Sequence, residues 1–495
     1  MKQSVDVCAP ILKDILNSAF DVNEFPDELK LADVSSVFKK DDATKKNNYR
    51  PISVLPTVSK PFERIMEKQI GEYMKNNLSE YLCGYRKGYN AQHALMALIE
   101  KWKSSLDNNG YAGAILMDLS KAFDCLNHDL LLAKLHAYGF SKTSLALIRS
   151  YLKKRWQRTK INTSFSSWSE LLMGVPQGSV LGPLLFNIYI NDLLWFIEYC
   201  DVCNFADDTT PHACDHDLDT LITKLEHDSL NAIQWFKINY MKLNEDKCHL
   251  IVAGHKYENV WAMVGDHRIW ETQKQKLLGV YIDNQLNFKY HVQQLCLKVG
   301  KKVSAFARIS HFLTQARRRI IAKTFIEAQF SYCPLVWMFV DRTVNWKINK
   351  LHERTLRLVY CDYKSTFEEL LERDNAFTVH QRNIQSLAIE MYKTKMNQNP
   401  TFMKTIFVEK RETGYNLRSK DMQDFESINI HKVHKGEDSL RFLGCKIWKL
   451  VPQNIKESES VDKFKFKIRK WKPIKCPCRL CKIYVQRIGY IDREI

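Results

Sequence analysis

The chain has 495 residues, 45% hydrophobic and 12% aromatic, which suits two to four folded domains and excludes a disordered chain. Lys and Arg number 74 against 56 Asp and Glu, a net charge of +18, so the expected partner is a polyanion, nucleic acid before a membrane surface. The start, MKQSVDVCAPILKDIL, lacks a signal peptide's apolar run, and PLLFNIYINDLLWFI is broken by Asn187, Asn191 and Asp192, so neither secretion nor a membrane span is expected; fourteen scattered cysteines fit a reducing interior.

In chain order, Ile11, Leu12, Ile15, Leu16 and Phe20 follow helical spacing. The pattern begins as if an element were already under way, so an upstream domain is expected. Leu31 to Phe38 alternates as a strand, and Lys39, Lys40, Lys45, Lys46 and Arg50 then make a basic loop. Such a loop can hold a nucleic-acid backbone or a triphosphate, or simply be solvated. A helix is predicted from about Lys60 to Asn76. Gly84 and Gly88 flank Tyr85-Arg86-Lys87, and a helix follows from about Ala91. A Gly-punctuated basic turn at a helix N-terminus is a plausible anion cradle, though a weak signal alone.

The apolar run Ala114-Ile115-Leu116-Met117 ends in Asp118, and a buried strand that delivers an Asp at its end is where α/β folds place reactive groups. Asp124 reads as a cap or structural hydrogen-bond acceptor before a metal ligand. Lys153 to Arg158 interleaves basic and aromatic side chains as nucleic-acid tracks do, a solvated face being the equal alternative. TKINTSFSSWSE follows as a hairpin. Gly174, Pro176, Gly178, Gly182 and Pro183 crowd a turn before an apolar helix, where Gln177 offers both donor and acceptor to a flat ligand. Val202 to Phe205 reads as a strand, Asp207-Asp208 as its turn and Thr209 as the start of a return strand. A lone Asp-Asp is more often an Asx turn. With Asp118 upstream, the pair becomes a site for a hard cation such as Mg²⁺.

Leu218, Leu221, Leu225, Leu230, Ile233 and Phe236 form the stripe of one helix, and Lys247 sits at the mouth of the next strand, Cys248 to Ala253. Lys247 can serve a departing pyrophosphate or be an ordinary surface lysine. KLLGVYIDNQLNF is a further strand and turn. From about His291 the pattern turns helical. Residues 298–357 hold thirteen Lys/Arg against three acids, with Arg317, Arg318, Arg319 and Lys323 on one helix suited to tracking phosphates. Residues 463–482 hold nine Lys/Arg and no acid. Within them Cys476, Cys478 and Cys481 can bind zinc or remain thiols in a basic tail, with Cys445, His431 and His434 as loosely spaced candidates for a fourth ligand.

Taken together, NYRPISVLP, GYRKGYNAQHAL, LMDLSKAFDCLNHDLLLAKL, GVPQGSVLGPLLFNIYINDL, FADDTT, KLNEDKCHLIV and KLLGVYID resemble, in order, the reverse transcriptase of non-LTR (LINE-type, jockey-like) retrotransposons over about residues 30–285. WKPIKCPCRLCKIYV also looks like such an element's tail.

The resemblance implies an α+β right-hand polymerase: fingers and palm, the palm an antiparallel sheet, in 1–285, a helical thumb in 286–375, and a basic C-terminal region with a Cys-rich tail in 376–495. It implies RNA-directed DNA synthesis with two Mg²⁺ held by Asp118, Asp207 and Asp208, Asp208 being the peripheral one. By position Phe123 is similar to the steric gate, Lys247 to the pyrophosphate lysine, and Gln177 and Gly178 to the nucleotide pocket. Arg50, Arg86 and Lys87 fall in finger motifs facing template or triphosphate. The implied partners are an RNA template, a DNA primer or nicked target DNA, and dNTPs. The implied setting is a ribonucleoprotein in nucleus and cytoplasm. The apurinic-type endonuclease of family polyproteins finds no counterpart here. Where many relatives have Gly-Phe-Arg-Lys-Gly-Arg-Ser-Thr, this chain has Gly84-Tyr85-Arg86-Lys87-Gly88-Tyr89-Asn90-Ala91, one arginine fewer. Two rivals are a catalytically silent RNA-binding remnant, which would bind RNA without incorporating dNTPs, and a group II intron maturase, which the tail disfavours.

Overall fold

The strand Tyr111–Ser120 divides its side chains between two cores. Ala112, Ala114 and Leu116 join one cluster, and Ile115, Met117 and Leu119 the other, as the period of two requires of a strand covered on both faces. In this computed structural model, which describes residues 5–39, 42–254, 259–410, 425–431, 436–473 and 476–478, that strand lies inside a row of four antiparallel strands, to which the short strand Lys242–Leu243 adds a fifth. His249–Ala253 flanks it on one side; Asp208–Asp215 and then Asp201–Phe205 flank it on the other.

One core packs the apolar helix Gly182–Ile190 and the helices Ser59–Met74, His128–Ala137 and Leu218–Ile238 against the sheet. In the last of these Leu221, Leu225, Ile233 and Phe236 are buried as their spacing predicts, but Leu230 is exposed because its position falls off the buried stripe. The first helix, Val5–Val22, reaches this core through Leu16, Ala19 and Phe20, while Ile11 and Ile15 stay exposed. The other core carries the helix Ala91–Asp107 and continues through Lys289–Ser310, Arg342–Tyr360, Val379–Lys395 and Leu440–Leu450 to Val461–Ile468. Polar ties reinforce the union: His93 Nε2 meets Glu390 at 3.0 Å, and Glu100 accepts from the Arg441 amide at 3.0 Å. A second sheet joins Leu31–Phe38, antiparallel to Tyr49–Val54, to the strand Trp156–Ile161 in parallel, which pairs in turn with Ser164–Phe165 and Ser169–Glu170.

The Gly-Val-Pro-Gln-Gly segment is fixed by a buried carboxylate that spacing did not flag. Glu63 accepts from the amides of Val180 at 2.7 Å and Leu181 at 3.1 Å and from the Tyr151 hydroxyl at 3.3 Å. Replacing it leaves two buried amides without an acceptor, each costing roughly 1–3 kcal/mol. Glu63→Ala should therefore lower stability by about 3 kcal/mol in urea unfolding, with Glu63→Gln intermediate. A loss below about 1 kcal/mol would mean that water replaces the carboxylate. No helix among the described residues is long and apolar enough to cross a membrane.

Candidate active site

The acidic site is built at one end of the sheet that holds Tyr111–Ser120. Phe205 and Asp208 are partners across a hairpin, so Ala206 and Asp207 form its two-residue turn. Such a turn needs positive φ, and Ala206 supplies it at φ 60°, a strained value for a side chain with a Cβ. The ladder sets Asp208 directly opposite Asp118, with Met117 opposite Thr209, so residues 90 positions apart share one face of the sheet. Asn204 steadies the hairpin by donating to the Thr209 hydroxyl at 3.0 Å.

Three carboxylates then crowd one place. Burial first, then Asp207 and Asp118, push the Asp208 carboxyl up to about 6. Burial foremost, with Asp118 contributing, also raises that of Asp207, and the cations Arg50 and Lys39 pull it back down. Lys247 Nζ lies 3.3 Å from Asp118 Oδ2. The short return strand Lys242–Leu243 pairs with Leu119 and Ser120 and brings this lysine back beside Asp118.

The Gly84 turn is part of the same structure. Cys83 N donates to Asn204 O at 3.0 Å, and the Asn187 amide donates to Gly84 O at 2.8 Å, so the turn lies along the acidic hairpin. A Cβ on Gly84 would stand 2.5 Å from the Ala206 nitrogen, which is why glycine is needed there. Tyr85, at φ 55°, projects towards the acids: Asp207 and Asp208 both raise its hydroxyl pKa, after burial.

Phe123 stacks on Phe186 with centroids 4.5 Å apart and meets Tyr85 edge-on at 5.9 Å. Its carbonyl accepts from Val175 N at 3.0 Å, so the turn after Asp118 and the Gly-Val-Pro-Gln-Gly segment are tied together. Gln177 Nε2 donates to Asp124 Oδ1 at 2.9 Å, which makes Asp124 a structural acceptor, and Gln177 O accepts from Ser53 N at 2.8 Å. Gly178, at φ 142°, lies so close to the Tyr49–Val54 strand that a Cβ would stand 2.4 Å from Ser53 O. Strand pairing, an ion pair and short hydrogen bonds thus tie the segments that carry Asp118, Asp207, Asp208, Lys247, Phe123, Gln177 and Gly178 to one another, and the charge of Arg50 reaches Asp207.

Other expectations need correction. Arg86 is engaged within the chain: its guanidinium donates to the carbonyls of Ser79 and Leu82 and stacks over the Tyr89 ring at 4.3 Å. It holds its own turn closed. Lys87 is exposed. The basic helix Gln315–Ile321 runs on into a π-helical turn, Ala322–Ile326, which carries Lys323, and part of its charge is engaged within the chain. Arg319 and Lys323 reach the buried carboxylate of Asp374 at 2.9 and 3.9 Å, and Arg318 contacts Cys361 Sγ. The cause is Asp374 itself, 1% exposed, which needs cations around it. Among the zinc candidates, Cys445 donates to the Glu426 and Arg441 carbonyls instead, and Cys481 and His434 lie outside the described residues. The structure sets His380, which spacing did not suggest, beside Cys476 and Cys478. Lys39 and Tyr85 were also missed as groups near the acids; position beside Arg50 and Arg86 was the only available hint.

A strand-borne Asp is thus paired across an antiparallel sheet with a hairpin Asp-Asp, and a stacked aromatic ring follows it in the chain. The chain belongs to the reverse transcriptase (RNA-dependent DNA polymerase) family, whose model matches residues 37–294. Its fold is accordingly the right-hand polymerase fold, of mixed helix and antiparallel sheet. It is similar to the probable RNA-directed DNA polymerase from transposon X-element of Drosophila melanogaster, 24% identical over 70% of this chain and 39% of that protein. It is also similar to the RNA-directed DNA polymerase from mobile element jockey of the same species, 25% identical over 80% of this chain and 44% of that one. The chain therefore spans less than half the length of these relatives. Apo telomerase from Candida tropicalis, 11% identical over 70% of this chain and 59% of that one, superposes with a TM-score of 0.40. Members of this family use divalent metal ions.

Proposed function

We propose that the chain is an RNA-directed DNA polymerase of a non-LTR mobile element, adding deoxynucleotides to a primer 3′-hydroxyl under an RNA template. The convergence of Asp118, Asp207 and Asp208 at the open end of one sheet carries this reading. Asp207 and Asp208, both raised first by burial and further by the charge of Asp118, lack a compensating cation, and this set of hard oxygen donors fits Mg²⁺. Bound there, two Mg²⁺ would activate the primer hydroxyl and stabilise the charge that develops on the pyrophosphate.

The protein's own groups do the rest. Asp118 and Asp207 would hold the ions most directly, with Asp208 more peripheral. Phe123, held by Phe186 and Tyr85, lies under the sugar and excludes a 2′-hydroxyl. Gln177 and Gly178 line the nucleotide pocket. Lys39 and Arg50, whose charge acts on Asp207, face the triphosphate. Lys247, paired with Asp118 here, holds or protonates the departing pyrophosphate. The fingers and palm occupy 1–285, the thumb 286–375, and the basic C-terminal region follows. The partners are an RNA template, a DNA primer or nicked target DNA, and dNTPs.

Primer extension on poly(A) with annealed oligo(dT), labelled dTTP and Mg²⁺ tests this. Template-dependent incorporation is the expected result. RNA retained in a salt-dependent way with no incorporation would instead identify a silent RNA-binding remnant. The raised Asp208 carboxyl adds a pH dependence with a definite sign. Below about 6 that group is protonated, so Mg²⁺ must displace a proton to use it. The apparent Mg²⁺ affinity should fall about tenfold per pH unit below that point and level off above it. Mg²⁺ titrations of extension at several pH values check this, and a flat profile would remove Asp208 from the ligand set.

A further inference from the structure

Near its C-terminal end the chain crosses the first turns of the helix Val379–Lys395. Two side-chain amides about one helical turn apart fasten it there. Gln381 Nε2 donates to the Pro473 carbonyl at 3.2 Å, and Gln385 Nε2 to the Trp471 carbonyl at 2.7 Å. Gln381 is itself fixed by the capping box it forms with Thr378. The crossing carries Cys476 and Cys478 to His380, where one donor atom from each residue lies within 4.8 Å of the other two. The Cys478 Sγ is 3.6 Å from His380 Nε2. Cys478 is 1% exposed and His380 7%. His380 Nδ1 is buried and meets no hydrogen-bond partner among the described residues.

We infer that His380, Cys476 and Cys478 bind a zinc ion that fastens the C-terminal segment to this helix. The donor chemistry is that of structural zinc, imidazole nitrogen with thiolate sulfur. In a tetrahedral site with Zn–S about 2.3 Å and Zn–N about 2.0–2.1 Å, donors lie roughly 3.5–3.8 Å from one another. The cluster needs only small side-chain adjustments to reach that spacing. Two thiolates and a neutral ring around Zn²⁺ sum to no net charge, which suits a site this deeply buried. Thiolates are also favoured beside the N-terminal turn of a helix, where the backbone amides point. The tetrahedron has one further position, for water or a fourth donor.

The function of the ion is structural. The residues just before the crossing, from Lys463, are rich in Lys and Arg, and fastening Trp471 to Cys478 fixes where that basic surface lies. Metal binding is read here without any polymerase assay, so its failure and the failure of the polymerase proposal are separate results.

The test is zinc content of the full chain, purified without chelator and exchanged into metal-free buffer, together with the absorption spectrum after replacement by Co²⁺. About one zinc per chain and an intense thiolate-to-cobalt band with tetrahedral d–d bands are expected. His380→Gln and Cys478→Ser should each weaken zinc affinity at least tenfold, while Cys8→Ser, at an exposed cysteine, should leave it unchanged. His380→Cys, which restores a donor, should retain the ion and guards against a variant that merely misfolds. Absence of stoichiometric zinc and of the charge-transfer band in the unaltered chain would overturn the inference. So would wild-type zinc affinity in a folded His380→Gln protein.

Discussion

Asp207→Asn should reduce primer extension by about 10³-fold or more while leaving RNA affinity within about twofold. Asparagine keeps the size of the side chain and the turn that Ala206 and Asp207 form between Phe205 and Asp208. What it removes is one full charge from a place where three carboxylates meet. Asp207 is raised chiefly by burial and then by Asp118, and it raises Asp208 in turn. The folded chain is therefore relieved of repulsion, and the melting temperature should stay level or rise. This opposite movement of stability and activity identifies a residue whose charge serves a metal ion. RNA affinity is carried by basic surfaces elsewhere and should keep its salt dependence. Extension, filter binding and thermal melting on the same preparation check the three readouts. A fall in melting temperature with equal loss of RNA binding would assign Asp207 a structural role.

Phe123→Ala should admit ribonucleotides, lowering discrimination between dNTPs and rNTPs by about 10- to 100-fold. The ring is held from two sides, flat against Phe186 and edge-on to Tyr85, and its backbone is tied to Val175. A ring so fixed cannot swing aside for a 2′-hydroxyl; alanine leaves room for one. The half-buried ring also contributes packing, so roughly 1–3 kcal/mol of stability should be lost with it. Phe123→Val, which keeps part of the bulk, should retain most of the discrimination. Single-nucleotide incorporation of dTTP and UTP on the same primer measures the ratio. An unchanged ratio would move the gate to Tyr85, the other ring facing the acids.

How much of this could be read beforehand differs from residue to residue. The strand that carries Asp118 and the hairpin around Asp207 and Asp208 were legible because their signals are local, a period of two, an apolar run and a turn, although the strand runs on past Asp118 to Ser120, where Lys242–Leu243 pairs with it. The helices Ala91–Asp107 and Leu218–Ile238 were legible for the same reason, at a period of 3.6. The family resemblance then supplied roles for Phe123, Gln177 and Lys247. The partners of Arg86 were not legible, because composition reports a charge but not its direction, and the acceptors it reaches are the carbonyls of Ser79 and Leu82. The pairing of Arg319 and Lys323 with Asp374 was equally illegible, since nothing local announces that Asp374 is buried beside them.

The linear order of residues was enough to mark the strand and hairpin that carry the three acids and to suggest a polyanionic partner, because short-range periodicity and net charge need no neighbours distant in the chain, while the class of fold came from the family resemblance of its motifs. Packing alone assigned the rest. It set Gly84 against Ala206, aimed Lys39 and Tyr85 at the acids, placed Glu63 under the amides of Val180 and Leu181, and brought His380 to Cys476 and Cys478. Each of these depends on which of several faces a side chain is left on once two cores have closed. That choice follows from the free energy of burying the whole chain, and no single stretch of it carries the answer.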